Sequence, residues 1–393
     1  MMDLLLLALL LAAVAIGWWL GRRSAASHEG ETSQGRLSRD YFVGLNFLLN
    51  EEPDRAIETF VNALEVNSDT IETHIALGSL FRARGEADRS VKIHQNLLAR
   101  PTLTPAQGQR VQLELSRDFL KLGLHDRAER LLQGLIREAQ DEELRLAAKR
   151  LLVDLLEREK AWQAAVEVAV PELVRQQEGL RRAASHWLCE LAEQELQGAS
   201  PGPARKHLRQ ALGIDAQCVR ATWLLARLEH DTGHYKAEAK LLRRIPDQDL
   251  DFAPLILEPL AEAYRRLEDP QGFEAYLQTL IGRAPFTSAL LALAQSHQRR
   301  EGNAAAETFI REQLASTPSL RALDYLMDLY ARNADAAERE RIELLKQHTQ
   351  ALLARHPRYR CRSCGFSGEQ LHWQCPSCRQ WGTTKPITGI EGE

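Results

Sequence analysis

The chain has 393 residues, of which 44% are hydrophobic and 26% charged, and its formal net charge is −4. This balance allows a large buried core and lacks the basic excess of a nucleic-acid-binding surface, so nucleic acid is not an expected partner. Only 6% of the residues are aromatic, while leucine, alanine, arginine and glutamate dominate, and this composition favours helices.

An apolar stretch near the N-terminus, Leu4–Leu20, predicts a transmembrane helix. It ends with Trp18 and Trp19, which suit a membrane interface, and Arg22 and Arg23 follow directly. Because positive charge stays on the cytoplasmic side, this order predicts a single-pass protein whose bulk is cytoplasmic. A cleaved secretory signal is the alternative, but the segment has no positively charged start. We therefore expect residues 1–23 to be a retained anchor.

The next segment, residues 24–36, is small, polar and aperiodic, which predicts a flexible linker. As a random coil its reach is about 20 Å. The region that follows should therefore stay close to the membrane.

Small residues recur at a regular spacing from residue 37 to residue 356. Gly44 and Gly78 lie 34 positions apart, and so do Ala192 and Ala226. Another small residue often follows twelve positions later, as in the pairs Gly44/Ala56, Gly78/Ser90, Ser116/Ala128, Ala192/Ala204 and Ala294/Ala306. Small side chains at both positions let two antiparallel helices cross closely, while larger apolar residues one turn away fill the space beside the crossing.

This pattern resembles the tetratricopeptide repeat and predicts an all-α superhelix of about nine helix pairs over residues 37–356. Extra residues around Pro101–Gln107 and Glu138–Leu146 stretch the third and fourth units. Glu238 and Phe273 stand where the sixth and seventh units should have a small residue. The register of these four units stays open, but the class of fold does not. Such an array leaves a long concave face for partners.

The sequence contains no recognisable catalytic constellation. It lacks a glycine-rich phosphate loop, a nucleophile elbow and a His-Glu-x-x-His zinc motif. Cys189 and Cys218 fall in predicted helices and are expected to be small core residues. Histidines are scattered along the repeats, and we expect them on the surface or in the groove: His74, His94, His125, His186, His207, His230 and His234. The sequence therefore predicts a binding protein and not an enzyme.

Four cysteines near the C-terminus form the most specific motif of the chain. Cys361 and Cys364 make one Cys-x-x-Cys pair, Cys375 and Cys378 make a second, and ten residues separate the pairs. Two such turns facing one another present four thiolates to a single tetrahedral metal ion. Zinc is the first expectation for this ion, and iron is the alternative.

The residues around these cysteines predict a small rubredoxin-like metal-binding domain at 357–393. Trp373 and Trp381 are available to cover the metal. Because about thirty residues bury little surface on their own, we expect this domain to dock on the last repeats. Basic residues around the cysteines should lower the pKa of the thiols: Arg355, Arg358, Arg360, Arg362, Arg379 and Lys385.

A membrane span, a tetratricopeptide array and a four-cysteine domain, in this order, resemble the lipopolysaccharide assembly protein B family over the whole chain. The resemblance implies an adaptor in the inner membrane of Gram-negative bacteria that performs no chemistry. It implies two main partners, a membrane-anchored AAA+ metalloprotease and the deacetylase that commits precursor to lipid A, whose turnover the adaptor promotes. Other lipopolysaccharide assembly or transport proteins are further partners on this view. The metal ligands implied are Cys361, Cys364, Cys375 and Cys378.

Two functions from other classes remain open at this point. One is electron transfer by iron held on the four cysteines, which visible charge-transfer bands would reveal. The other is a general scaffold or co-chaperone at the membrane, which would capture many clients and not one protease.

Overall fold

The computed structural model describes residues 71–101, 103–390 and 392–393, with isolated positions before them at Val43, Asn46, Phe47, Arg55 and Thr59. The predicted span Leu4–Leu20, the linker and the Gly44/Ala56 pair lie outside the described residues. Within the described ranges, no helix combines the length and apolarity needed to cross a bilayer. Contacts divide the chain into two compact units, one up to Leu155 and one from Leu156 onward.

The first unit consists of consecutive helices joined by short connections, and its first four helices pack each on the next. The helices are α1 (Ile71–Ala83), α2 (Ala87–Leu98), α3 (Pro105–Lys121), α4 (His125–Glu138) and the larger part of α5 (Glu142–Arg158). A capping box begins α3, where the Thr104 side chain accepts from the Gln107 amide and the Gln107 side chain accepts from the Thr104 amide. This cap fixes the start of α3 at the stretch where the sequence left the register open.

The second unit continues the helices and ends in a small sheet. Its helices are α6 (Trp162–Ala169), α7 (Leu173–Gln176), α8 (Glu178–Gln197), α9 (Pro201–Ile214), α10 (Val219–Asp231), α11 (Tyr235–Gln248), a 3-10 turn (Leu250–Phe252), α12 (Ala253–Arg266), α13 (Pro270–Arg283), α14 (Thr287–Glu301), α15 (Asn303–Ser316), α16 (Leu320–Asn333) and α17 (Ala336–Leu353). The strands are β1 (Tyr359–Cys361), β2 (Ser367–Gly368) and β3 (Thr384–Pro386), in the antiparallel order β2-β1-β3.

The small residues spaced by twelve lie where paired helices meet, as predicted. The Ser90 hydroxyl donates to the Gly78 carbonyl at 2.7 Å, so α1 and α2 touch at their small residues. The later members of the pattern are fully buried: Ser116, Ala128, Ala192, Ala204, Ala294 and Ala306. A mostly helical, tetratricopeptide-like fold with a small C-terminal domain is thereby confirmed.

Glycine sets several of the turns between helices because the backbone there is left-handed. Gly85, Gly123 and Gly233 have φ values of +87°, +72° and +75°. After Gly123, the Leu124 amide donates back to the Phe119 carbonyl at 2.8 Å, which closes the end of α3. The predicted turns therefore hold at these positions.

The prediction that the histidines lie on the surface or in the groove is wrong for three of them. His74, His94 and His186 are buried. Nδ1 of His94 lies 2.5 Å from Oδ2 of Asp118, whose side chain is also fully buried. Another element supplies the His94 ring with a carboxylate and the His186 ring with aromatic partners. Sequence spacing does not reveal which element that is.

Candidate metal centre

The two Cys-x-x-Cys segments fold into turns with the same hydrogen-bond pattern. In the first, the Cys361 amide donates to the Phe366 carbonyl at 2.7 Å and the Gly365 amide donates to the Cys361 carbonyl at 3.0 Å. In the second, the Cys375 amide donates to the Gln380 carbonyl at 2.9 Å and the Arg379 amide to the Cys375 carbonyl at 2.8 Å. The residue after each second cysteine is left-handed, with φ values of +78° at Gly365 and +60° at Arg379. Each turn therefore projects its two sulfurs to the same side.

These turns bring the four sulfurs together. Sγ of Cys361 lies 3.8 Å from Sγ of Cys378, and Sγ of Cys364 lies 3.6 Å from Sγ of Cys375. All four sulfurs lie within 4.8 Å of one another. A tetrahedral ion with metal–sulfur bonds of about 2.3 Å separates its ligands by about 3.8 Å. The donor set and its spacing thus fit one tetrahedral, thiophilic metal ion.

Hydrogen bonds tune the thiols of the first turn. Burial acts to raise the pKa of Cys361, but the Thr383 hydroxyl 3.3 Å from its sulfur and the nearby backbone amides outweigh this and lower that pKa to about 6. The pKa of Cys364 is also lowered, mainly by the backbone at Phe366. Burial raises the pKa of Cys375 to about 11. A bound cation would favour the thiolate at all of these positions.

The predicted role of the basic residues in lowering thiol pKa values is not what the structure shows. Lys385 forms an ion pair with Asp249, and Arg362 lies 3.5 Å from Asp251. Burial lowers the pKa of Lys385, against the attraction of Asp249. These cations are therefore engaged with the helical region, and hydrogen bonds set the chemistry of the first two thiols.

The small domain docks mainly on helices in the middle of the chain, and its last residues also contact later helices. The Trp381 ring stacks on His186 of α8 at 5.1 Å and meets Trp162 of α6 edge-on at 6.0 Å. Its indole nitrogen donates to Glu157 at 3.3 Å. Gln374 also donates to Glu157, at 2.8 Å. One carboxylate at the end of α5 thus holds two positions of the domain.

A second set of contacts involves Trp373 and Phe252 of the 3-10 turn. Trp373 stacks on Phe252 at 5.5 Å, and the Lys385 ammonium lies over the same Phe252 ring at 4.1 Å from its centre. The rings of both tryptophans therefore contact the helical region, and their covering of the metal stays a prediction. Aromatic rings gain more from burial between two elements than from one face of a thirty-residue domain.

The C-terminal tail extends the docking toward later helices. The Leu320 amide at the start of α16 donates to the Ile390 carbonyl at 2.9 Å. The Ser288 amide at the start of α14 donates to the Glu393 carboxylate at 2.9 Å. Burial raises the pKa of that carboxyl group. The tail thus contacts the starts of α14 and α16, so part of the domain does lie on the later repeats.

Sequence reasoning missed the residues that receive the domain, chiefly Glu157, His186, Asp249 and Phe252. The only signal was the number of aromatic residues in so short a domain. It also missed that Cys189 and Cys218, predicted separately as core residues, lie side by side with sulfurs 4.0 Å apart.

Comparison with known proteins agrees with this arrangement. A family described as "Rubredoxin metal binding domain" matches residues 359–386, and "Tetratricopeptide repeat" matches residues 73–106. Among solved structures, a tetratricopeptide repeat protein from Parabacteroides merdae covers 67% of this chain and 99% of its own at 12% identity and a TM-score of 0.32, a similarity too low to support an inference.

Two curated relatives align along their whole length. Lipopolysaccharide assembly protein B from Escherichia coli strain K12 is 34% identical over 393 residues, and the protein of that name from Haemophilus influenzae is 35% identical over 402 residues. Each alignment covers 100% of both chains. With this identity over the full length of both proteins, the chain belongs to the lipopolysaccharide assembly protein B family.

Proposed function

We propose that the protein is a non-enzymatic adaptor of the inner membrane that regulates lipopolysaccharide biosynthesis. It promotes proteolysis of the deacetylase that commits precursor to lipid A, carried out by a membrane AAA+ metalloprotease. The observation that carries the proposal is the full-length relationship to lipopolysaccharide assembly protein B. The helical repeats support it, because stacked helix pairs offer an extended surface for partners.

Within this proposal, Cys361, Cys364, Cys375 and Cys378 hold one zinc ion. Support comes from four sulfurs within 4.8 Å of one another and from the matching pair of turns. A closed four-thiolate site supplies cross-linking and no open coordination position for a substrate. The two turns hold the sulfurs in place, and Trp381 and Lys385 anchor the domain to the helices.

The docking also favours an adaptor over an electron carrier. Trp373, Trp381 and Lys385 attach the domain by stacked rings and an ion pair, and Trp381 is only 6% exposed. A domain held in this way contributes a fixed surface beside the helices. An electron carrier gains from being able to approach a redox partner freely, which these contacts oppose.

The membrane anchor gives the proposed adaptor its mode of action. Leu4–Leu20 spans the inner membrane, and residues 24–36 keep the cytoplasmic repeats near the surface at which a membrane protease admits its clients. Confinement raises the effective concentration of client and protease for one another without a strong new contact. The adaptor therefore acts by bringing partners together.

The test measures the half-life of the deacetylase after synthesis is stopped. Depleting the adaptor should lengthen that half-life, and expressing the full chain should restore it. A chain lacking residues 1–23 should fold and hold metal but fail to restore turnover, while an unrelated membrane span in their place should rescue most of it.

An unchanged half-life after depletion would contradict the proposal. Crosslinking and capture from native membranes then decides the alternative, since a general scaffold would bring down many unrelated clients. A third outcome is that the native protein restores turnover but the chain with the unrelated span does not. That result would refute only the confinement mechanism and would point to a specific role of the native span.

A further inference from the structure

Two buried cysteines outside the metal centre form a close pair. Cys189 lies in α8 and is 0% exposed, and Cys218 lies at the N-cap of α10 and is 3% exposed. Their sulfurs are 4.0 Å apart although the residues are 29 positions apart in sequence. Both thiols are reduced in this structure. Such proximity at the crossing of two helices makes the pair a dithiol and not two isolated core residues.

The two thiols differ in access. Cys218 lines a cavity of about 420 Å³ between the helical region and the small C-terminal domain. Charged side chains of both signs line the same cavity: Arg181, Arg182, Arg362 and Lys385, and the carboxylates Glu178, Asp215 and Asp249. Cys189 does not line it. Of the two residues, only Cys218 therefore borders a space that a small polar reagent can enter.

The two thiols also differ in acidity, and the thiol beside the cavity, Cys218, has the lower pKa. Burial raises the pKa of Cys189 well above the ordinary value for a thiol, so this group stays protonated and donates. The hydrogen bond from Cys189 is the main reason that the pKa of Cys218 is lowered despite burial. The start of a helix also favours a negative sulfur at Cys218.

We propose that Cys218 is a reactive thiol for small hydroperoxides and that Cys189 is its resolving partner. The Cys218 thiolate attacks the peroxide oxygen, becomes a sulfenic acid and releases the leaving oxygen as hydroxide, or as water once protonated. The Cys189 sulfur then attacks the Cys218 sulfur, water leaves, and a disulfide forms. In total two thiols and one hydrogen peroxide yield one disulfide and two water molecules. The sulfurs close from 4.0 Å to about 2 Å, a distance that side-chain rotation with a small shift of α10 can supply.

The test treats the purified full-length protein, with its metal content verified, with hydrogen peroxide and then alkylates the remaining thiols. Trypsin places Cys189 in the peptide 183–205 and Cys218 in the peptide 210–220, so mass spectrometry reads each thiol separately. We expect these two peptides to become linked, with a loss of two hydrogens, while the four cysteines of the metal centre keep their metal. Without peroxide, Cys218 should alkylate at least about tenfold faster than Cys189.

Two serine variants assign the roles. In Cys189→Ser, a sulfenic acid should persist on Cys218 and be trapped by dimedone. In Cys218→Ser, Cys189 should stay reduced under the same treatment. Circular dichroism melting checks that each variant is folded. If either variant is not, peroxide treatment of the wild-type protein alone tests the proposal. The proposal is overturned if both thiols of the wild-type protein stay free under peroxide exposure that fully oxidises glutathione, or if Cys189 reacts first, or if Cys218 links to a cysteine of the metal centre.

Discussion

Gly78 has no room for a side chain, because a Cβ atom on it would lie 2.4 Å from Nε2 of His94. His94 is held in place by Asp118, which also accepts from Ser90 at 2.7 Å and pairs with Arg82 at 2.7 Å. Asp118, Ser90 and His94 are all fully buried. The glycine therefore protects a polar network between α1, α2 and α3 that cannot shift without losing hydrogen bonds in the core.

We predict that Gly78→Ala destabilises the first unit by about 1–3 kcal/mol, the usual cost of overpacking. Hydrogen–deuterium exchange of α1 and α2 amides in the full chain measures this loss as faster exchange. Gly134→Ala is the matched control, since Gly134 lies inside α4 with nothing within 4 Å of an added Cβ. That control should be neutral or stabilising by up to about 1 kcal/mol. Equal effects of the two substitutions would refute the account.

Glu268 occupies the left-handed position of a turn that elsewhere contains glycine. Its φ is +55°, and the following Asp269 amide donates to the Tyr264 carbonyl at 3.1 Å, as in the glycine turns. We expect Glu268→Gly to stabilise the second unit by about 1 kcal/mol by removing Cβ strain. Gly233 occupies the equivalent position in the turn between α10 and α11, with φ +75° and open space around it, so Gly233→Ala should cost a similar amount. Thermal midpoints that move in the same direction for both variants would contradict this reading.

At the scale of elements, the central feature is the attachment of the small domain to α6, α8 and the 3-10 turn. Trp381 lies between Trp162 and His186 and is 6% exposed. We predict that Trp381→Ala loosens the domain by about 3–5 kcal/mol, the usual range for a buried tryptophan. Limited proteolysis should then cut within residues 357–393 while metal content stays at the wild-type value. Arg360→Ala, an exposed position of β1, is the control and should leave the cleavage pattern unchanged.

If Trp381→Ala lost its metal as well as its docking, metal binding and docking would depend on one another, contrary to this prediction.

His186 makes this attachment sensitive to acid. Burial, then repulsion from Arg220, Arg182 and Lys385, lowers its pKa well below 6.5. In the unfolded chain the same pKa is about 6.5, so below this pH the unfolded state binds more protons than the folded state. Stability is therefore lost as the pH falls below about 6.5, by at most about 1.4 kcal/mol per pH unit.

We predict that His186→Phe, which keeps an aromatic ring against Trp381, has a shallower fall in stability between about pH 6.5 and 5.5. Thermal midpoints of the two proteins across this range measure the difference. Acid release of metal affects both proteins and cancels in the comparison. Parallel pH curves would show that His186 does not titrate on unfolding.

At the scale of the whole molecule, we expect the metal centre to determine whether the C-terminal segment keeps its fold. The sheet is short, since β2 spans only Ser367–Gly368 and β1 and β3 pair over three residues each, so few backbone hydrogen bonds connect the two Cys-x-x-Cys turns. We predict one metal ion per chain, whose removal makes residues 357–393 sensitive to protease. Cys361→Ser and Cys378→Ser should give the same result, measured by elemental analysis and proteolysis, while Cys189→Ser should not. A double variant with wild-type melting and cleavage would refute a structural role for the metal.

The sequence alone was sufficient for features that depend on neighbouring residues or on a fixed period. The twelve-residue spacing of Ser116 and Ala128, the left-handed turn at Gly123 and the clustering of the four cysteines all follow from local chemistry. The order of span, repeats and four-cysteine domain pointed to the family that the full-length relatives show.

Where the small domain docks was decided only by the tertiary structure. Gln374 meets Glu157 across 217 positions, and Lys385 meets Asp249 across 136. No periodicity links such residues, because the fold returns the end of the chain to helices in its middle. The burial of His186, the approach of Cys189 to Cys218 and the hydrogen bonds that set the Cys361 thiol depend on the same long-range packing. A sequence pattern reports which faces are apolar, but the partner of each face is fixed by shape and charge that come together only in the folded chain.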